Sequence, residues 1–194
     1  MAHGEKLVFV GDSITAGGDW SAWFPDDDVV ELGVDGDTTT SLAARLDEVV
    51  AAQPDSVVLL VGTNDFGQRR TVEQVVRGVE SIMVTMRREL PGTRLLLQSI
   101  MPRSADYAAR IKDANRHLRQ FSSTVRAQYL DLWPALADES GDAIRPELSD
   151  DQLHLTAAGY EAWLAELVPG LARLRDEPPM SAPLRVLNVP YDID

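Results

Sequence analysis

Ser13 lies in Gly11-Asp12-Ser13-Ile14-Thr15, directly after the apolar run Leu7-Val8-Phe9-Val10. A serine at a strand-to-helix turn can hold its Oγ in the open and its N–H in the first helical turn, where unpaired donors collect. Two roles suit such a residue: a helix N-cap, or a nucleophile. The segment is not the G-x-S-x-G elbow, because Thr15 stands where that motif has glycine. Asn64, in Gly62-Thr63-Asn64-Asp65, is either a turn asparagine or a side-chain donor to a developing oxyanion. Further along, Asp151 precedes His154 by three residues. A carboxylate at that spacing can accept from Nδ1–H and leave Nε2 to take a proton from a hydroxyl. The other readings of this pair are a capped helix start with a solvated histidine, or two metal ligands; a metal site would want further His or Cys. His3 is near the N-terminus, and His117 sits on a charged helical face with Asp113 at i−4, the arrangement of a surface pair. His154 is therefore the candidate base by elimination. Gly33-Val34-Asp35-Gly36-Asp37-Thr38 lets the backbone adopt positive φ and approach a ligand closely, or forms a turn capped by Asp37 or Thr38. It has neither the spacing nor the Lys-Ser/Thr ending of a phosphate loop.

Each of these segments must be positioned by a rigid element. Short apolar runs at Leu7–Val10, Val29–Leu32, Ser56–Val61, Arg94–Ile100 and Tyr129–Leu132 predict strands covered on both faces, as in a parallel sheet. Between them, core-facing helical stripes recur. One is Leu42, Leu46, Val49 and Val50; the next runs from Val72 to Leu90, and another from Tyr107 to Val125. Thr156 predicts the cap of a last helix carrying Tyr160, Trp163, Leu164, Leu167 and Val168, with Gly170 near its end. Strand–helix alternation predicts a three-layer α/β/α sandwich with right-handed crossovers. Ligands in such folds bind beyond the carboxyl ends of the strands, where all four segments fall. Trp20, Trp23, Phe66 and Met101 also follow strand ends, and either line a pocket or pack the loops. Asp12, Asp65 and Phe66 are further candidates for substrate contacts.

The 194 residues suit one domain over 1–175, followed by a Pro-rich extended tail over 176–194 with Pro178, Pro179, Pro183 and Pro190. Its apolar stretch Leu184–Val189 would pack on its own domain or support a homo-oligomer through a neighbouring subunit. A formal net charge of −13 argues against nucleic acid and anionic membranes as partners. The absence of cysteine excludes a thiol nucleophile, a Cys-based zinc site and disulfides. No run is long and apolar enough to insert stably in a membrane, and the first apolar run is too short for a signal peptide, so a cytoplasmic location is expected.

Taken in order, Gly-Asp-Ser, Gly-x-x-Gly-Asp, Gly-Thr-Asn-Asp and Asp-x-x-His resemble the SGNH hydrolases, or GDSL lipase/esterase family, over roughly residues 6 to 170. The resemblance implies a flavodoxin-like fold with a five-stranded parallel sheet in order 2-1-3-4-5. It makes Ser13 the nucleophile, with Asp151 and His154 completing a triad; Asp150 is adjacent, but the family spacing selects Asp151. The oxyanion hole would comprise the Ser13 and Gly36 N–H groups and the Asn64 amide. It implies no metal or organic cofactor, and a small-molecule ester as substrate. Two departures from the family pattern are Ile14, where many members have Leu, and Glu31, where many have Asn. The expected activity is hydrolysis of short-chain carboxylic esters, including O-acetyl groups on sugars or small alcohols. Acyltransferase, thioesterase and lysophospholipase activities are alternatives within the family; a catalytically silent carbohydrate-binding module is the alternative from another class.

Overall fold

The computed structural model describes residues 4–177. Five strands, β1 (Lys6–Gly11), β2 (Asp28–Gly33), β3 (Ser56–Leu60), β4 (Arg94–Gln98) and β5 (Gln128–Leu130), form one sheet. Every neighbouring pair is parallel, in the order β2-β1-β3-β4-β5, as the sequence resemblance implied. The helices are α1 (Ser13–Ala16), α2 (Trp20–Trp23), α3 (Thr39–Ala43), α4 (Leu46–Ala52), α5 (Thr63–Gly67), α6 (Val72–Glu89), α7 (Ala108–Ser122), α8 (Trp133–Leu136) and α9 (Ala157–Asp176).

Strand alternation distributes side chains between two cores. Val8 and Val10 of β1, Val57 and Leu59 of β3, and Leu95 and Leu97 of β4 face one layer, built on α3, α4, α6 and α7. Leu7, Phe9, Val58, Leu60 and Leu96 face the other, under α2 and α9. Successive residues point to opposite faces of a strand, so both faces must be apolar when both are covered. In the second layer Phe9 stacks on Trp20 at 4.1 Å between ring centroids, and Trp20 meets Trp163 edge-on at 4.8 Å. The indole N–H groups donate to Thr15 O and Gln98 Oε1, so neither buried ring strands its polar atom. Trp20, Phe66 and Met101 are all core residues; for these three, packing is the role the fold gives them.

Two helical readings need correction. The stripe Leu42–Val50 is not one helix. The chain breaks at Ala44–Arg45, between α3 and α4, yet Leu42, Leu46 and Val49 all stay buried. The last helix, in turn, does not stop at Gly170. It runs through Pro169 to Asp176, because Leu171 and Leu174 continue its buried face; Gln128 Nε2 also donates to the Gly170 carbonyl at 2.8 Å. Packing of an apolar face thus outweighs one lost donor. Val168, placed on the core stripe by its spacing, is 52% exposed. The predicted tail begins inside α9, and residues 178–194 lie outside the described residues. Among the described residues no helix is long and apolar enough to cross a membrane.

Candidate active site

The carboxyl ends of β1, β2 and β3 deliver the first three segments to one edge of the sheet. Ser13 is the first residue of α1, and its cap is Asp12, whose Oδ1 accepts from Ile14 N at 3.0 Å. The N-cap role is thereby taken by the neighbour, and the Ser13 hydroxyl is left for another partner. That partner is His154, with Oγ and Nε2 3.0 Å apart. On the far side of the ring, Nδ1 lies 2.7 Å from Asp151 Oδ2. Asp151 Oδ1 accepts from the His154 and Leu153 backbone N–H groups at 2.7 and 2.9 Å. These bonds, led by the one to the His154 side chain, hold the Asp151 carboxyl at about 2. It is ionised throughout the neutral range and dictates a proton on Nδ1, so Nε2 faces Ser13 as an acceptor. Asp150 is exposed and has no side-chain hydrogen bond among the described residues. His117 pairs with Asp113 at 3.7 Å on the surface of α7.

The helix beneath the serine is anchored from across the chain. Tyr160 of α9 donates to Ile14 O at 2.8 Å, tying α1 to the element that follows the His154 loop.

Gly36 takes the third place in a turn closed by Asp37 N and Val34 O at 3.1 Å, with φ +78°, a conformation that favours glycine. Asn64 is the second residue of α5 and donates through Nδ2 to Asp37 O at 2.9 Å, leaving its second amide hydrogen available. Neither Gly36 N–H nor Ser13 N–H has a hydrogen-bond partner among the described residues. The sharp exit from β3 that places α5 needs Gly62, at φ +128°; a Cβ there would come within 2.6 Å of Ile100 Cδ1.

The proposed substrate contacts fare differently. Asp65 is fully buried and accepts from Thr39 N and Oγ1 at 2.9 and 2.7 Å, so its carboxylate joins α5 to α3. Phe66 belongs to the core. Neither side chain presents a surface to a ligand. Glu31 accepts from Ser21 N and Oγ, bracing β2 against α2, so the departure at this position leaves the site itself untouched.

Asp12 is also buried, with Oδ2 unpartnered. Burial first, and then the nearby Asp37, push its carboxyl up to about 7, against the bond from Ile14 N. In the unfolded chain the same group ionises near 4. The native protein therefore has the stability of a neutral Asp12 in full below that pH, and loses it as pH rises through about 7. Asp12→Asn, which cannot ionise, is expected to gain in melting temperature relative to the parent between pH 5 and pH 8, by roughly 5 °C or more. Parallel thermal melts at the two pH values check this; a pH-independent difference would mean Asp12 is already ionised in the fold.

A family model described as the GDSL-like lipase/acylhydrolase family matches residues 9–162. The chain belongs to this family. Among its relatives is the platelet-activating factor acetylhydrolase IB subunit alpha1 of Bos taurus, 28% identical over 92% of this chain and 81% of the relative. A GDSL-like lipase from Bacteroides thetaiotaomicron superposes with a TM-score of 0.77 over 89% of this chain and 92% of its own, at 20% identity. The acetylxylan esterase Axe2 of Geobacillus stearothermophilus does so with a TM-score of 0.67 over 86% and 96%, at 22% identity. At such identities the two structures bear on the fold. This GDSL fold thus brings together Ser13, His154 and Asp151, and sets Gly36 and Asn64 after β2 and β3, the two strands that flank β1. Arg45, which reaches the segments that follow β1 and β2, is absent from any motif. In sequence it reads as a polar residue of the Leu42–Val50 helix, and only the break in that helix would have marked it.

Proposed function

We propose that this protein is a serine esterase that hydrolyses carboxylic esters of short acyl chains, including acetyl esters of sugars or small alcohols, through an acyl-serine on Ser13. The observation that carries the reading is the unbroken hydrogen-bond chain from Ser13 Oγ through both nitrogens of His154 to Asp151. His154 Nε2 takes the hydroxyl proton as Oγ attacks the ester carbonyl, and Asp151 stabilises the imidazolium. The Ser13 and Gly36 N–H groups and the free Asn64 amide hydrogen receive the tetrahedral oxyanion. His154 then gives its proton to the leaving alkoxide, which departs as the alcohol. A water, deprotonated by the same nitrogen, releases the carboxylic acid and restores Ser13.

Two observations support a short acyl group. Of the large apolar side chains that follow the strand ends, Trp20, Phe66 and Met101 are packed into the core and Trp23 is half-buried against Trp20 and Tyr160, which leaves few walls for a long chain. The names of two similar proteins, an acetylhydrolase and an acetylxylan esterase, both specify acetyl. A fluorophosphonate probe is expected to label Ser13, and p-nitrophenyl esters from acetate to dodecanoate are expected to give the highest kcat/KM at two to four carbons. Absence of labelling would overturn the serine mechanism; a maximum at eight carbons or beyond, or a preference for acyl-CoA over acetylated xylose, would overturn the substrate class.

A further inference from the structure

Arg45 makes contacts that its position in the sequence does not suggest. It occupies the break between α3 and α4, and its guanidinium turns inward to the sheet edge that carries the site. Nε donates to Asp37 Oδ2 at 2.7 Å, and Nη2 lies 2.6 Å from the same oxygen. Nη2 also reaches Leu32 O at 2.9 Å and Gly11 O at 3.2 Å. One planar group therefore holds the last residue of β1, the end of β2 and the loop that follows it. Asp37 is largely buried, and its other carboxylate oxygen accepts from Ser41 Oγ at 2.7 Å.

What makes this more than a fold contact is the place of Asp37. It directly follows Gly36, and its own carbonyl accepts the Asn64 amide at 2.9 Å. Gly11, two residues before Ser13, lies at the end of β1. Every oxyanion donor is thus within two residues, or one hydrogen bond, of an atom that Arg45 or Asp37 holds. Asp65, next to Asn64, binds Thr39 from the opposite side of the same loop and closes the frame. A guanidinium can span a carboxylate and two carbonyls at fixed angles, whereas an ammonium binds as a point charge.

We propose that Arg45, acting through Asp37, is the positioning residue of the oxyanion hole: it sets the spacing of the Ser13, Gly36 and Asn64 donors and touches no substrate itself. This rests on the serine-esterase reading above. Misplacing reacting groups by about 1 Å can cost up to 10²-fold in rate, so the consequence belongs in kcat and not in KM.

The test is a double-mutant cycle between Arg45→Gln and Asn64→Ala, read as kcat and KM for p-nitrophenyl acetate and as the inhibition constant of a trifluoromethyl ketone, whose hemiketal mimics the oxyanion. Arg45→Gln is expected to lower kcat about tenfold or more, with KM within about threefold, and to weaken the ketone in parallel. In the Asn64→Ala background the same substitution is expected to cost at least threefold less, because one of the donors it positions is gone. Arg45→Lys should recover little. Should Arg45→Gln fail to fold, Asp37→Asn carries the same expectation, since it keeps the carbonyl and the side-chain shape while removing the charge that orients the guanidinium. Unchanged kcat in the folded fraction, a KM effect alone, or equal factors in both Asn64 backgrounds would overturn the proposal. Fluorophosphonate labelling separates the two levels: a parent protein that does not label at Ser13 overturns the esterase reading and this inference with it. A parent that labels beside a fully active Arg45→Gln overturns the positioning role alone.

Discussion

Ser13→Ala is expected to lower p-nitrophenyl acetate turnover by about 10⁴- to 10⁶-fold while leaving the melting temperature nearly unchanged. The size follows from what the hydroxyl does in the proposed mechanism. Without it no acyl-enzyme forms, and only the oxyanion donors and substrate binding remain, which elsewhere retain roughly 10³- to 10⁴-fold over water. The neutrality in stability follows from the structure. Asp12, not Ser13, caps α1, and the one side-chain bond of Ser13 among the described residues is to the exposed His154. Alanine at the first position of a helix costs nothing in propensity. Activity assays and thermal melts on the same preparation check both halves. Retention of more than a few per cent of the parent rate would remove Ser13 from the mechanism; a large fall in melting temperature would show that the hydroxyl also serves the fold.

The sheet was legible because its strands are short and mostly apolar, and glycines stand at the ends of β1 and β2 and just beyond β3. The observed order β2-β1-β3-β4-β5 then places those ends together. Pairing of Asp151 with His154 was legible because it is local, three residues apart. The features that escaped are those decided by partners distant in sequence. Asp65 carries the same carboxylate whether it meets solvent or Thr39, and nothing near position 65 announces a bond to a residue 26 positions away. Phe66 follows a strand end in the manner of a pocket residue, but α5 turns it into the core. Pro169-Gly170 carries the signature of a helix stop, and the contest between that local signal and the burial of Leu171 and Leu174 is settled only by tertiary packing. Arg45 is the clearest case. Its partners at positions 11, 32 and 37 converge only once β1 and β2 are paired.

Asp151→Asn is expected to lower kcat/KM by about 10²- to 10⁴-fold, and Asp150→Asn by no more than about threefold. The two aspartates are adjacent in sequence, and the contrast between them is geometric. Asp151 Oδ2 is 2.7 Å from His154 Nδ1, while Oδ1 binds two backbone N–H groups. In the asparagine variant the amide oxygen can keep those backbone bonds, which turns its NH₂ toward Nδ1. Two donors cannot face each other, so the imidazole places its proton on Nε2 and loses the acceptor that Ser13 needs. The lower end of the range reflects the setting, because the Asp151 side chain is about half exposed and water can partly take over its place beside the ring. A carboxylate held at about 2 also settles one sign: Asp151 stays ionised well below neutral pH, so a loss of activity on mild acidification does not come from its protonation. Solution NMR of the His154 ring nitrogens would report the tautomer directly, with Nδ1 protonated in the parent and Nε2 in the variant. Equal losses at Asp150 and Asp151, or an unchanged tautomer beside a full loss of activity, would mean that orientation of the imidazole is not what Asp151 contributes.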